Sequence, residues 1–169
     1  MKKLTNIVLL GFMGTGKSSV GRELADRLQL SFVDLDEDIV VKCGCSIPTL
    51  FEEQGEEAFR KIEADSVNYW ANRDSVVISC GGGVVTNPSN LKVLAEKGLL
   101  ICLTASAETI LKRVGHDANR PLLTAPDRKE RIQKLLKERA PLYEQIELRV
   151  ATDHKTLDQV VDEVLKILP

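Results

Sequence analysis

Aromatic side chains are scarce in this chain, with one Trp, two Tyr and four Phe in 169 residues. Any core must therefore be mainly aliphatic, and a 43% hydrophobic fraction supplies the material. Charge of one sign is also lacking: 23 basic residues face 25 acidic ones, spread along the whole length. That balance argues against a nucleic-acid scaffold, which carries a clear basic excess. It leaves room for an anionic small ligand gripped by a few converging arginines. No stretch approaches the roughly 20 apolar residues of a membrane span. Met1-Lys2-Lys3 ahead of Ile7–Leu10 has the positive start of a signal peptide, but Gly11, Gly14, Gly16 and Lys17 interrupt the apolar run. A strand is the expected reading there. Paired CxxC spacing is missing too. Cys43, Cys45, Cys80 and Cys102 are expected to be reduced, non-ligand thiols of a cytoplasmic protein. No long apolar stripe is left over for a partner chain, so a monomer is expected, with neither nucleic acid nor membrane among its partners.

What is present is an alternation of short β-branched runs with longer amphipathic stretches. Strands are expected at 6–10, 31–34, 75–79, 99–103 and 147–151. Helices are expected at 17–28, about 36–43, 48–54, 56–72, from Pro88, about 106–113, from Pro126 to about 144, and 156–168. Ser46 is placed as an N-cap, Gly55 as a break, and Pro141 as a residue that kinks or shortens its helix. Residues 114–125, with Gly115, Asn119 and Pro121, read as a loop. The βαβα order predicts an α/β fold, a parallel sheet covered by helices on both faces. With no repeat, linker or low-complexity tract, residues 1–169 read as one domain.

Gly11-Phe12-Met13-Gly14-Thr15-Gly16-Lys17-Ser18 follows the first expected strand and opens the first expected helix. This is the GxxxxGK[ST] phosphate-binding pattern in its proper context. Glycines let backbone N–H groups turn inward around phosphate oxygens, and the helix N-terminus adds donors and a positive dipole end. Lys17 would reach the terminal phosphates as a point charge, and the Ser18 hydroxyl can ligate Mg²⁺. A chance match is expected in roughly one chain of this length in a hundred.

The loop does not say what the nucleotide is for. The guanine-reading NKxD pattern of GTPases is absent, and Val76-Val77-Ile78 leads into Ser79-Cys80-Gly81 with no carboxylate. Acidic residues follow the second strand instead, in Asp34-Leu35-Asp36. At the C-terminal end of a strand in an open α/β sheet, such a pair lies where ligands bind. One can hold Mg²⁺ and the other meet an acceptor hydroxyl. The same run, with Glu37 and Asp38, equally suits the start of a helix, where the dipole favours negative charge.

An ordered set of strings then carries a resemblance over nearly the whole chain: GFMGTGKS at 11–18, DLD at 34–36, GEEAFRKIE at 55–63, GGG at 81–83, RPLL at 120–123 and ERAPLY at 138–143. In this set the chain resembles the shikimate kinase family of small P-loop kinases. The resemblance implies a three-layer α/β/α fold of the nucleoside-monophosphate-kinase type around a five-stranded parallel sheet. A helical acceptor-binding region would occupy about 35–62, and a lid loop about 114–125. It implies transfer of the γ-phosphate of ATP, with Mg²⁺, to the 3-hydroxyl of shikimate. The rival readings are another small P-loop kinase, acting on gluconate or a nucleoside monophosphate, and a non-catalytic ligand-sensing P-loop module.

By the same resemblance, Gly14, Thr15, Gly16, Lys17, Ser18 and Ser19 would bind ATP, with Arg113 near the adenine. Arg120 would come down on the phosphates during transfer. Lys17, Asp36 and Arg120 would be the catalytic residues, and Ser18 and Asp34 would serve the metal. Asp36, Arg60, Gly81, Gly82, Gly83 and Arg139 would hold shikimate, both arginines on its carboxylate, while Glu63 orients Arg60. Gly81 and Gly83 would shape a turn whose amides approach substrate. Spacing alone reads differently: Arg60 and Glu63 as an exposed helix pair, and Arg139 on the solvated face of a charged helix. Phe51 and Phe59 could line the pocket or be core. The Thr152–Thr156 stretch lacks the basic, proline-containing loop that the family often sets beside adenine.

Overall fold

The computed structural model of the chain describes residues 6–115 and 127–169. The expected loop from residue 116 onward, Arg120 with it, and the expected helix start at Pro126 lie outside that description. Five strands form one parallel sheet: β1 (Asn6–Leu10), β2 (Ser31–Asp34), β3 (Val76–Ser79), β4 (Gly98–Thr104) and β5 (Leu148–Ala151), in the order β2-β3-β1-β4-β5. Seven helices are described with them: α1 (Lys17–Leu28), α2 (Leu35–Cys43), α3 (Ile47–Ala71), α4 (Pro88–Lys97), α5 (Ala107–Val114), α6 (Arg128–Glu144) and α7 (Leu157–Ile167).

Both faces of the sheet are covered, which is why β1 is apolar at nearly every position rather than at every second one. Ile7 and Leu9 point to the face covered by α1 and α7, against Val20, Leu24, Val160 and Val164. Val8 and Leu10 point to the opposite face, against residues of α3, α4, α5 and α6 that include Val67, Leu94, Ile110 and Ile132. Each fully buried aliphatic side chain contributes about 1.5–3 kcal/mol, so this aliphatic double core makes up for the shortage of aromatics. A small separate core of Ile39, Leu50 and Phe59 ties α2 to α3. Phe59 is buried there and Phe51 stacks on it at 4.9 Å between ring centroids. These two rings, left open between pocket and core by the sequence, therefore belong to the packing of the helical region.

Expected boundaries hold to within a residue or two for most elements. The break at Gly55 is real: φ 84°, ψ 169° interrupts the helical path of α3. Ser46 caps that helix, its hydroxyl accepting from the Thr49 amide. Past Pro141, α6 runs on to Glu144, the expected end. A short 3₁₀ turn at Val84–Thr86, which the sequence reading left out, follows the glycine run. Among the described residues no helix is long and apolar enough to cross a membrane.

Candidate active site

The loops after β1, β2 and β3 leave the same edge of the sheet and converge there, since all strands run parallel. The first is the glycine-rich loop. Gly16 stands before α1 at φ 94°, ψ 17°, a left-handed conformation that costs glycine nothing. At Gly14, φ 75°, a Cβ would lie 2.7 Å from the Val114 side chain of α5, so helix and loop pack with no room to spare. Helix α1 has neither a capping side chain nor an acidic residue in its first turn. Its leading amides and positive dipole end therefore meet the loop uncompensated, a ready anion site. Lys17 is buried, and its Nζ donates to the carbonyls of Gly11 and Phe12, both at 2.9 Å. The Thr15 hydroxyl donates to the Phe12 carbonyl at 2.8 Å, so the Thr15 side chain helps to shape the loop. Ser19 is exposed at the start of α1.

The carboxylate absent from the end of β3 comes from the neighbouring strand. Asp34 lies in register with Ser79, and the Ser18 hydroxyl donates to Asp34 Oδ2 with Ser79 Oγ 3.5 Å away. Asp34 is also the N-cap of α2: its Oδ1 accepts from the amides of Asp36 and Glu37 at 3.0 and 3.1 Å. The helix-start reading of this acidic run holds for Asp34, one oxygen capping α2 while the other is turned to Ser18. Glu37 pairs with Arg22 on the surface, and Asp38 accepts from Ser66 and Lys42. Those two carboxylates face away from the loop's chemistry.

Gly81, Gly82 and Gly83 show why glycine recurs at the third loop. A Cβ on Gly81 would stand 2.7 Å from Asp36 Oδ1 and 3.3 Å from Glu63 Oε2. On Gly82 it would approach the Met13 amide at 3.3 Å and Arg139 Nη1 at 3.7 Å, and on Gly83 it would run into the Arg60 guanidinium. None of the three has a left-handed φ, and Gly83 sits at φ −92°. They leave space for side chains from α2, α3 and α6, within the turn that the Val84 and Thr86 amides close on the Gly81 and Gly83 carbonyls.

Glu63 is only 2% exposed and accepts from Arg60 Nη1 at 2.9 Å, while Arg60 Nη2 lies 3.4 Å from the exposed Glu56. The pair is therefore no surface ornament worth tenths of a kcal/mol. Burial pushes the Glu63 carboxyl above the usual range, opposed by the charge and hydrogen bond of Arg60. Leaving such a carboxylate without its partner costs about 3–5 kcal/mol, which holds Arg60 in place against Gly83.

Arg139 likewise departs from its solvated-face reading. It is buried, its guanidinium 5.7 Å from the centre of the Phe12 ring, and among the described residues no carboxylate forms an ion pair with it. One helical turn on, the Tyr143 hydroxyl donates to the Gly82 carbonyl at 2.6 Å. Burial raises the Tyr143 pKa while Arg139 opposes the shift. Tyr143 had no role in the sequence reading. Its place four residues after Arg139 in ERAPLY, on the same helix face, was the available signal. A buried arginine with a second on an adjoining element, beside the half-buried Asp36 carboxylate, suits a small hydroxylated acid.

Arg113 sits at the nucleotide-loop side, donating to the Gly14 carbonyl at 3.1 Å and to Thr152 through its hydroxyl (3.0 Å) and carbonyl (3.1 Å). The cysteines take no part. All four are free, and burial raises the Cys80 thiol pKa and pushes that of Cys102 to about 11, so both stay protonated. Among the described residues no group of three His, Cys, Asp or Glu side chains could hold a metal by itself.

Known proteins resemble this chain in sequence and fold. A sequence model of the shikimate kinase family matches residues 13–169. A shikimate kinase of Pelotomaculum thermopropionicum is 46% identical over 165 residues, covering 98% of this chain and 96% of that protein. The structure of an Acinetobacter baumannii shikimate kinase in complex with shikimate superposes with a TM-score of 0.94 at 36% identity, covering 97% of this chain and 92% of that one. A gluconokinase of Sinorhizobium meliloti shares the fold at TM-score 0.65 and 22% identity, covering 98% of this chain and 92% of that one.

Proposed function

The chain belongs to the shikimate kinase family, and from that premise we propose how its residues transfer the γ-phosphate of ATP to the 3-hydroxyl of shikimate. The observation that carries the assignment is the glycine run: three consecutive residues against which lie Asp36 with Glu63, then Arg139, then Arg60, with the Met13 amide of the phosphate loop alongside. An acceptor held by those side chains has its hydroxyl beside the nucleotide's terminal phosphate.

The loop amides and the N-terminus of α1 hold the phosphates. Lys17 exchanges its contacts with the Gly11 and Phe12 carbonyls for the β- and γ-phosphate oxygens and offsets charge that grows on them during transfer. Ser18 and Asp34 offer hard oxygen donors, already in contact with each other, which suit Mg²⁺ and not a softer metal. Mg²⁺ held by Ser18 and Asp34 would supply positive charge to offset that of the phosphates. Arg60 and Arg139 bind the acceptor carboxylate, each with a planar fork of parallel donors. Asp36 accepts a hydrogen bond from the reacting hydroxyl. An ordinary carboxylate is far too weak a base to ionise an alcohol beforehand, so the proton moves to Asp36 late, as the oxygen–phosphorus bond forms and the bond to the departing ADP breaks. Four free thiols suit a reducing, cytoplasmic setting, and the reading requires only a monomer.

The direct test is ADP release with Mg-ATP and shikimate, gluconate, nucleoside monophosphates or no acceptor. Release that depends on shikimate alone is expected. Turnover with another acceptor and none with shikimate would keep the kinase and reject the acceptor. Substituting Gly83→Ala probes the packing. Alanine tolerates the backbone geometry there, but the added Cβ displaces the Arg60 guanidinium from the buried Glu63, so the melting temperature should fall by a few degrees. We expect the KM for shikimate to rise about tenfold or more with the KM for ATP unchanged. An unchanged shikimate KM would remove Arg60 from the acceptor site.

A further inference from the structure

Two consecutive residues after β5 hold both ends of α5. Thr152 is buried and anchored on β4, its amide and hydroxyl both donating to the Thr104 carbonyl, at 2.8 and 3.0 Å. Through its own hydroxyl and carbonyl it receives the guanidinium of Arg113, near the C-terminal end of α5. Asp153 takes the other end. Its Oδ1 accepts from the Ser106 amide at 2.9 Å and the Thr109 hydroxyl at 2.6 Å, and its Oδ2 lies 3.2 Å from the same amide. Ser106 is the N-cap of α5 and its hydroxyl also bonds to Thr109. The hydrogen bond from Thr109, followed by that from the Ser106 amide, holds the Asp153 carboxyl at a pKa of about 2. It is therefore ionised throughout the physiological range, at the helix end where negative charge is favoured.

What α5 presents to the rest of the molecule is the nucleotide loop. Arg113 donates to the Gly14 carbonyl, and the side chains of Ile110 and Val114 pack where a Gly14 Cβ would be, at 3.6 and 2.7 Å. A helix of eight residues is only about 12 Å long, so releasing its first turn tilts the face that bears on Gly14. We propose that Asp153 is a positioning residue of the nucleotide site, gripping the start of α5 so that Arg113, Ile110 and Val114 keep the phosphate-binding loop in its binding shape. This rests on the assignment of that loop to ATP made above. It also gives the Thr152–Thr156 stretch a function that does not need the basic, proline-containing sequence it lacks.

The test compares wild type, Asp153→Ala and Asp153→Asn by calorimetric titration with Mg-ADP, alongside the KM for shikimate at saturating ATP and the melting temperature. Alanine is expected to weaken Mg-ADP binding about fivefold to tenfold, through loss of the charge-assisted hydrogen bonds that hold the first turn of α5. The shikimate KM should stay within about twofold. Asparagine keeps an oxygen to accept from Ser106 and Thr109 and should restore binding to near the wild-type value. Unchanged Mg-ADP affinity in the alanine variant would overturn the proposal. So would a fall in nucleotide and acceptor affinity together with the melting temperature, which marks a merely structural role, or an asparagine variant as weak as the alanine one. Absence of a binding signal in all three proteins would instead overturn the nucleotide assignment itself.

Discussion

Replacing Lys17 by alanine is expected to abolish turnover in practice while the protein still folds. The side chain is buried and donates to two loop carbonyls, Gly11 and Phe12, and it is the one side-chain cation of the phosphate-loop motif. Phosphoryl transfer spreads negative charge over the transferring group, so losing a positive charge there costs the transition state more than the ground state. Single preorganised donors of this kind are worth about 10²–10³ in kcat, and a charged one more. We expect kcat to fall by at least about 10³, with Mg-ADP binding weakened far less because the loop amides remain. The fold should survive, since the aliphatic cores on the two faces of the sheet do not include Lys17. Single-turnover measurement with saturating Mg-ATP and shikimate checks this. A near-native kcat would remove Lys17 from the catalytic step.

Arg139→Ala should give the second large effect, and a different one. Its guanidinium is buried beside Phe12 and Gly82, without an ion-pair partner among the described residues. A buried charge without a partner opposes folding, and the carboxylate of a bound acceptor relieves that cost. Truncating one side of such a pair costs about 2–4 kcal/mol of binding, roughly 30- to 1,000-fold in affinity. The KM for shikimate should rise by that order while Mg-ADP binding is spared. The substitution should barely lower stability, because what is lost in packing against Phe12 is offset by removal of the buried charge. An unchanged shikimate KM would return Arg139 to a packing role. Equal losses in nucleotide and acceptor affinity would point to a disturbed α6, whose Tyr143 holds the Gly82 carbonyl. The two substitutions thus divide the site, one acting on the chemical step and the other on acceptor capture.

Much of this was legible before any coordinates. The apolar run of β1, the glycines after it and the amphipathic period of α1 announce a strand, a phosphate loop and a helix, because each depends on residues adjacent in sequence. The break at Gly55 and the Ser46 cap were readable for the same reason. Asp34 shows where such reading divides. Its capping role follows from position before α2, whereas its contact with Ser18 depends on β2 lying beside β3, and the sequence does not state strand order. Arg60, Glu63 and Arg139 sit in charged helices whose periods look solvated, and spacing alone favoured that reading. The resemblance pointed the other way, on motif order rather than on physics.

By itself, then, the sequence determined what is local: element types, the phosphate loop, the cap of α2 and, through its ordered motifs, the family. Only the tertiary structure decided which charges are buried and what each glycine is for. It put the Glu63 carboxylate out of water against Arg60, laid Arg139 over Phe12, and set Gly81, Gly82 and Gly83 against side chains from three helices. It also showed Asp153, 47 positions from Ser106 along the chain, holding the first turn of α5. The physical reason is common to all of these. Burial and close approach arise between segments far apart in the chain, and no local preference of the backbone encodes which of them will meet.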